Sequence, residues 1–446
     1  MSLPRIMISA QSSGSGKTTV TCGILQALAN RGLKLASFKC GPDYIDPMFH
    51  SKVIGAKSRN LDPFFVDGDM IRYLFARNAE GADISVIEGA MGFYDGSDFT
   101  KPANSSCDVS LRTRTPVILI INGQGSSLSA IAVLKGFLEF SDNLIKGVIF
   151  NRMSQKVFQS IAPVAESLGV KPIGYIPNMK EVVLESRHLG LVMPGEIDDI
   201  REKLNKVAEM FEETLDIDAI IELSKTAEDI EYKEPEIKSF DKVKIGLADD
   251  DAFCFTYEDN IALLEECGAE IVPFSPMHDS KLPEGIQGII LSGGYPELHG
   301  EILESNKSML ADIREKIAGG LPCLAECGGF MYLHERMEDS EGKMRSLVGA
   351  VKGEVRNTGK LARFGYVTLT AEGDSILPPG GVRGHEFHYW DSTNCGESWK
   401  AVKTSGKEYR CGHEEGALVA GYPHLYYYSN PEVAYRFLLK CSRYGN

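Results

Sequence analysis

Ile6-Met7-Ile8-Ser9-Ala10-Gln11-Ser12-Ser13-Gly14-Ser15-Gly16-Lys17-Thr18-Thr19 is the stretch that decides the fold. An apolar β-type run leads into a turn of small residues, and a helical pattern follows from Val20 to Asn30. That order of strand, loop and helix is what a phosphate cradle requires. Backbone N–H groups of Gly14, Ser15 and Gly16 close around phosphate oxygens, Lys17 reaches the outer phosphates, and Thr18 offers a hydroxyl to Mg²⁺ at the helix start beside Thr19. The first glycine of the full G-x-x-x-x-G-K-[ST] pattern would fall at Gln11, so the match is incomplete. A helix cap with adventitious glycines explains Gly14 and Gly16 but not the strand before them.

Outward from the loop, Lys34 to Phe38 alternates as a strand and enters Lys39-Cys40-Gly41-Pro42-Asp43-Tyr44-Ile45-Asp46-Pro47, a turn too rich in Gly, Pro and Asp for a regular element. In an open α/β sheet the carboxyl ends of the strands form the ligand crevice, so Asp43 and Asp46 are expected near the phosphates. The polar cluster Ser58-Arg59-Asn60-Leu61-Asp62 follows, with a role that composition does not settle. The buried-type strand Ile84 to Ile87 ends in Glu88-Gly89-Ala90-Met91-Gly92-Phe93-Tyr94-Asp95-Gly96. Glu88 stands where an acid positions Mg²⁺ or its water, and Asp95 is better placed for substrate. Pro116 to Ile121, Gly147 to Asn151 and Lys171 to Pro177 read as further strands, with a helix over Leu128 to Glu139. This alternation predicts a parallel, doubly wound sheet. Ile197 to Leu223 reads as one amphipathic helix, and the charged stretch 224–241 as a linker.

A second αβ series begins at Val243. Strands are expected at Val243 to Ala248, Glu270 to Phe274 and Gly288 to Leu291, with a helix at Asn260 to Cys267. The third strand enters Ser292-Gly293-Gly294-Tyr295-Pro296-Glu297, and a helix ends near Gly319. Next, Pro322-Cys323-Leu324-Ala325-Glu326-Cys327-Gly328-Gly329-Phe330 runs a strand into a cysteine flanked by glycines, the arrangement of a nucleophile elbow with sulfur in place of oxygen. A helix N-terminus there is expected to lower the thiol pKa. Cys323 and Cys327 have no second Cys/His pair nearby at metal-ligand spacing. Candidate bases are His385, His388, His413 and His424, which the residues alone do not rank.

The whole chain has 446 residues, enough for two or three domains, and its 43% apolar and 24% charged residues are ordinary for a soluble protein. A net charge of -15 opposes non-specific binding to nucleic acid or anionic membrane. Ten cysteines without repeated spacing fit free thiols in a reducing cytoplasm, and neither a signal peptide nor a membrane-spanning stretch is expected.

SGSGKTT, FKCGPDYIDP, SRNLD, EGAMGFYDG, SGGYPE, AECGGFMYL and RGHEFHY, in this order over nearly the whole chain, resemble the cobyrinate a,c-diamide synthase family. The resemblance implies an α/β fold: an ATP- and substrate-binding P-loop domain at 1–223, similar to dethiobiotin synthetase, a linker at 224–241, and a class I glutamine amidotransferase-like, flavodoxin-like domain at 242–446. It implies ATP and Mg²⁺, with the loop Gly14 to Thr19 on the nucleotide and Thr18, Asp43 and Glu88 on the metal. Tyr44, Asp46, Arg59, Asp95, His385 and His388 are carried over as substrate-binding. Cys327 is the thiol that takes the glutamine acyl group, His424 its base, and the Gly294 and Gly328 N–H groups its oxyanion donors. Ammonia so released would displace phosphate from an acyl phosphate at the a and c side chains of a tetrapyrrole. Where the usual triad has an acid two residues after the histidine, this chain has Tyr426, which implies a Cys/His dyad. The partners implied are small molecules, in the cytoplasm, with room for a homodimer. Relatives acting on nickel sirohydrochlorin or hydrogenobyrinate share the motifs. A dimerising P-loop switch ATPase would share the first fold, but it would carry lysine at Ser12 and lack the second domain.

Overall fold

The computed structural model describes residues 3–179 and 197–444. The chain divides into two compact units, Met1–Pro235 and Glu236–Asn446. The division falls inside the stretch 224–241.

In the first unit the strands are β1 (Arg5–Ala10), β2 (Leu35–Cys40), β3 (Lys57–Leu61), β4 (Ile84–Glu88), β5 (Val117–Asn122), β6 (Ile145–Asn151) and β7 (Lys171–Ile176). They form a seven-stranded sheet in the order β3-β2-β4-β1-β5-β6-β7, and every pairing is parallel. Near-continuous apolar burial along β1, β4 and β5 follows from a sheet covered on both faces. Since β1 lies between β4 and β5, the strand order reverses around it, and the crevice at its carboxyl end opens where the P-loop begins.

Helix Lys17–Asn30 packs on helix Ile197–Thr214, and the contact needs Gly23: a Cβ there would lie 2.3 Å from the Phe211 ring. The single helix expected from 197 to 223 is two, Ile197–Thr214 and Ile217–Lys225. Between them the Asp216 N–H donates to the Ile173 carbonyl of β7 at 2.7 Å, and the Asp216 carboxylate caps the second helix through the Ala219 N–H at 2.9 Å. An amphipathic period that continues across the break conceals this cap.

The stretch beyond residue 225 is not a free tether at its start. Arg114 donates to the Asp229 carbonyl at 3.0 Å, Arg72 to the Glu231 carbonyl at 2.8 Å, and Arg5 to the Glu228 carbonyl, while Ile230 is buried. Arg5 itself, the first residue of β1, is wholly buried, and burial lowers its pKa to about 10.

The second unit begins with β8 (Val243–Ala248), β9 (Ala269–Phe274), β10 (Gly288–Leu291) and β11 (Cys323–Glu326). The chain continues through β12 (His334–Glu338), β13 (Met344–Ser346), β14 (Val351–Asn357), β15 (Arg363–Ala371), β16 (Val382–His388) and β17 (Trp390–Ser392). It closes with β18 (Trp399–Lys403), β19 (Glu408–Cys411), β20 (His413–Glu415), β21 (Leu418–Gly421) and β22 (His424–Leu425). The central sheet has the order β20-β21-β11-β10-β8-β9, parallel except for β20. Beyond β11 the chain builds two more sheets, β13-β12-β14-β17 and β19-β18-β15-β16-β22, the second completed by β22 after the chain has returned to the central sheet; sequence periodicity did not suggest them. The longer of these strands, β14, β15 and β16, carry glycine and charged residues within them, which breaks the apolar alternation that would announce a strand. Among the described residues no helix is long and apolar enough to cross a membrane.

Candidate active site

In the first unit the chemistry gathers at the carboxyl ends of β1, β2 and β4. Gly14 and Gly16 have φ of 73° and 88°, the left-handed region that glycine adopts without strain. Gln11 is not among the positive-φ residues, so the position where the motif expects glycine tolerates a side chain; its Oε1 accepts the Asn122 N–H at 3.2 Å and ties β1 to β5. Asn151 steadies the loop by donating to the Ser15 carbonyl at 2.9 Å. Lys17 lies along the crevice and donates to the carbonyls of Ser12, at 3.2 Å, and Met91. Burial, followed by the nearby Lys39 ammonium, lowers its pKa to about 8.

Glu88 is the hub. Its Oε1 accepts from Thr18 Oγ1 at 2.8 Å and from Lys39 Nζ at 2.8 Å, and its Oε2 lies 3.4 Å from His50 Nε2. The same Lys39 ammonium donates to Asp46 Oδ2 at 2.5 Å. Burial by itself would raise the Glu88 carboxyl, but Lys39 and His50 together outweigh it and hold the group well below the usual carboxylate range. Burial, and then the Glu88 charge, pushes Asp46 up to about 8. Lys39 is carried well above its ordinary value, because Glu88 and Asp46 together overcome the cost of its burial.

Asp43 and Asp46, on one turn after β2, differ in their contacts. Asp46 joins Lys39 and Glu88, whereas the Asp43 carboxylate accepts the N–H groups of Ile45, at 2.8 Å, and Asp46, at 3.2 Å, and so shapes the turn. Tyr44 stands at the head of the short helix Ile45–Phe49 that this turn starts. Arg59, on β3, donates to the Ser58 carbonyl, and Asp95 Oδ2 accepts the Gly92 N–H at 3.1 Å. Among the described residues no group of three or more His, Cys, Asp and Glu gathers to hold a metal by itself. The oxygens of Thr18, Glu88 and Asp46 are still hard donors, and among the described residues the buried Glu88 Oε2 has only the long 3.4 Å approach of His50 Nε2. One or two carboxylates and a hydroxyl, completed by phosphate oxygens, suit Mg²⁺.

Lys39 and His50 were not singled out from the sequence. A signal for Lys39 exists, a lone charge at the end of the apolar strand Leu35–Cys40. His50 carries none, since its link to Glu88 runs between distant elements.

In the second unit Cys327 sits at the turn from β11 into the short helix Gly328–Tyr332, with φ 46° and ψ -104°. A non-glycine residue held there marks the strained strand-to-helix turn of a nucleophile elbow. Its N–H donates to the Gly421 carbonyl at 2.9 Å, which fixes the elbow to β21 three residues before His424. The loop Ser292–Glu297 meets both groups. A Cβ on Gly293 would fall 2.2 Å from His424 Cε1, and a Cβ on Gly328 would fall 3.0 Å from the Gly294 nitrogen and 2.9 Å from Pro296 Cδ. The two expected oxyanion donors are thus neighbours at the elbow.

The Cys327 thiol is buried, and its pKa goes up rather than down: burial raises it, the Glu297 charge adds to that, and the Gly328 N–H offsets only part. The helix that was expected to lower it has only five residues, and the lowering it brings is confined to the Gly328 N–H. His424 is buried as well. Its pKa falls to about 3, through burial first and then the neighbouring His385 and His388. The imidazole is thereby neutral at about pH 7, and the same burial weakens it as a base until a negative charge faces it.

His385 is the register partner of His424 across β16 and β22. His388 Nδ1–H donates to the Trp390 carbonyl at 2.7 Å, and the ring stacks on Tyr422 with centroids 3.8 Å apart. Both therefore surround His424. His413 is at 3.0 Å from the Asn394 carbonyl, on β20. Two acids at this site escaped the reading of the sequence, Glu297 and Glu326, both buried and both pushed up by burial, to about 7 and about 8.

The comparisons with known proteins divide the chain in the same manner. Residues 6–192 match the CobQ/CobB/MinD/ParA nucleotide binding domain, and residues 244–431 match the CobB/CobQ-like glutamine amidotransferase domain. A nucleotide-binding unit and a cysteine-elbow amidotransferase unit on one chain define a glutamine-dependent, amide-forming ligase. Proteins named cobyrinate a,c-diamide synthase are similar over almost the full length. That of Listeria innocua is 39% identical over 442 residues, covering 96% of this chain and 97% of its own. That of Caldanaerobacter subterraneus subsp. tengcongensis is 38% identical, covering 98% of each chain, and that of Picrophilus torridus is 38% identical, covering 99% of each. The chain belongs to the cobyrinate a,c-diamide synthase family, as its motifs implied.

Proposed function

We propose that this chain converts the a and c side-chain carboxylates of cobyrinate to amides, with ATP as the activating substrate and glutamine as the nitrogen donor. The observation that carries the reading is similarity to synthases of that name across both units at once. In the amidotransferase unit, Cys327 Sγ attacks the side-chain amide carbon of glutamine while His424 takes the thiol proton. The N–H groups of Gly294 and Gly328 receive the oxyanion, His424 returns the proton to the leaving nitrogen, and ammonia departs. Water then hydrolyses the thioester to glutamate. His385 and His388 belong to the surroundings of that base.

In the nucleotide unit, the loop Gly14 to Thr19 and the Lys17 ammonium hold the phosphates of ATP. A substrate carboxylate oxygen attacks the γ-phosphorus, ADP leaves, and ammonia then displaces phosphate from the acyl carbon to form the amide. Thr18, Glu88 and Asp46 are the oxygens that would hold Mg²⁺, whose charge offsets that of the β- and γ-phosphates. Lys39 keeps Glu88 ionised and ready for that role. Tyr44, Arg59 and Asp95, on the loops after β2 and β4 and on β3, are assigned to the tetrapyrrole side.

The test is incubation with MgATP and glutamine against cobyrinate, hydrogenobyrinate and nickel sirohydrochlorin in parallel, with amides read by mass. Two amide substitutions on cobyrinate are expected, and amidation of another macrocycle with none on cobyrinate would overturn the substrate assignment. The reading includes a reducing compartment for the ten free cysteines, and a homodimer is to be measured by light scattering.

A further inference from the structure

Where the usual amidotransferase triad has an acid two residues after the histidine, this chain has Tyr426, whose hydroxyl donates to Asp259 at 3.3 Å. Another carboxylate is present. Glu326, the residue immediately before the nucleophile, is buried at the end of β11, and its Oε2 lies 3.7 Å from His424 Nδ1. Its Oε1 accepts the Leu425 N–H at 3.3 Å, so the carboxylate is anchored to the backbone beside the very residue it faces. Gly293 packs against the imidazole Cε1 and limits its rotation.

We infer that Glu326 is a positioning residue for His424: it takes the place of the missing triad acid from the opposite direction in sequence, by receiving the Nδ1–H and so directing Nε2 to the Cys327 thiol. The proton balance is simple. Nε2 accepts the proton from Sγ–H, the imidazole becomes a cation, and the Glu326 charge stabilises that cation without accepting its proton. A spacing of 3.7 Å is longer than a hydrogen bond. Catalytic contacts of this sort are often long before substrate is bound and tighten with it. Burial raises the Glu326 carboxyl to about 8 and lowers the His424 imidazole, so each group alone resists charge, and the positioning role requires Glu326 to be ionised when the imidazolium forms beside it.

The inference rests on the Cys327 and His424 assignment above, and the experiment separates the two. In Glu326→Gln the carboxamide oxygen keeps the acceptor for Leu425 but loses the charge. Its kcat for glutamine hydrolysis should fall about 10- to 100-fold with little change in KM for glutamine, and ammonia-driven amidation should stay at the wild-type rate. An unchanged kcat would overturn the inference. If Cys327→Ala, measured alongside, still used glutamine, the amidotransferase reading itself would fail. Should Glu326→Gln not fold, the wild-type protein decides: with ¹⁵N-labelled histidine, and His424→Asn to assign the signal, His424 should carry its proton on Nδ1. A proton on Nε2 at neutral pH would overturn the inference.

Discussion

Lys17 gives the most direct pH test among the single residues. Its pKa near 8 means that it carries a proton below that pH and loses it above, and phosphate favours the charged form. ATP binding should therefore weaken as pH rises through about 8, by up to about tenfold per pH unit, with a proton taken up on binding. Titration calorimetry in two buffers of different ionisation heat measures that proton. Affinity that stays flat from about pH 7 to about pH 10 would remove Lys17 from the phosphates. Glu88→Gln keeps the acceptor for Thr18 but leaves Lys39 with Asp46 alone. We expect amidation to fall by about 100-fold or more, while glutamine hydrolysis is kept, because positioning at the transferring phosphoryl group matters most in the transition state. Wild-type amidation in this variant would reduce Glu88 to a buried structural acid. At this scale the sequence was legible where chemistry sits in a compact motif, as with Lys17, Glu88 and Cys327. It was illegible where a partner arrives from elsewhere, as Lys39 and His50 reach Glu88 and Glu326 reaches His424.

Elements bring these residues together through close approaches that only small residues permit. The loop after β10 passes so near β22 that Gly293→Ala would set a methyl 2.2 Å from His424 Cε1. The ring must then move, and a displacement of that size costs roughly 100-fold in rate when it misaligns a base. Glutamine-dependent amidation should fall accordingly, with the ammonia-driven reaction spared. Equal loss with both nitrogen sources would mean that the loop supports the fold rather than the base. A cap gives the opposite pattern: Asp216→Ala removes the acceptor for the Ala219 N–H and should cost about 1 kcal/mol of stability, seen in denaturant unfolding, without changing either half-reaction. The parallel strands of the first unit were legible because burial on both faces writes them as apolar runs between glycine-rich turns. The two sheets built beyond β11 were not. Charged residues on their open faces, such as Lys352, Arg356 and Lys400, interrupt the pattern that burial leaves on the inner ones.

Two units, each with its own buried core, make ligand binding a local event in the stability of the whole molecule. One core joins Ile6, Ile8, Ile24 and Phe211 beneath the phosphate loop, and another joins Phe253, Phe330, Tyr332 and Leu291 around the elbow. Their division was legible from the charged stretch 224–241, although its first residues are held against the first unit by Arg5, Arg72 and Arg114. A ligand that binds only the native state stabilises the unit that holds it, by about 2.7 kcal/mol at a hundred times its Kd. For a unit of this size that corresponds to a rise in Tm on the order of 5–10 °C. Scanning calorimetry of the full chain should thus resolve a transition that moves up with MgATP and another that stays in place. Lys17→Ala should abolish the movement while leaving both transitions visible, since the substitution touches the cradle and not the core. Transitions that rise together by the same amount, in wild type and in Lys17→Ala alike, would show that nucleotide is not bound by the loop after β1.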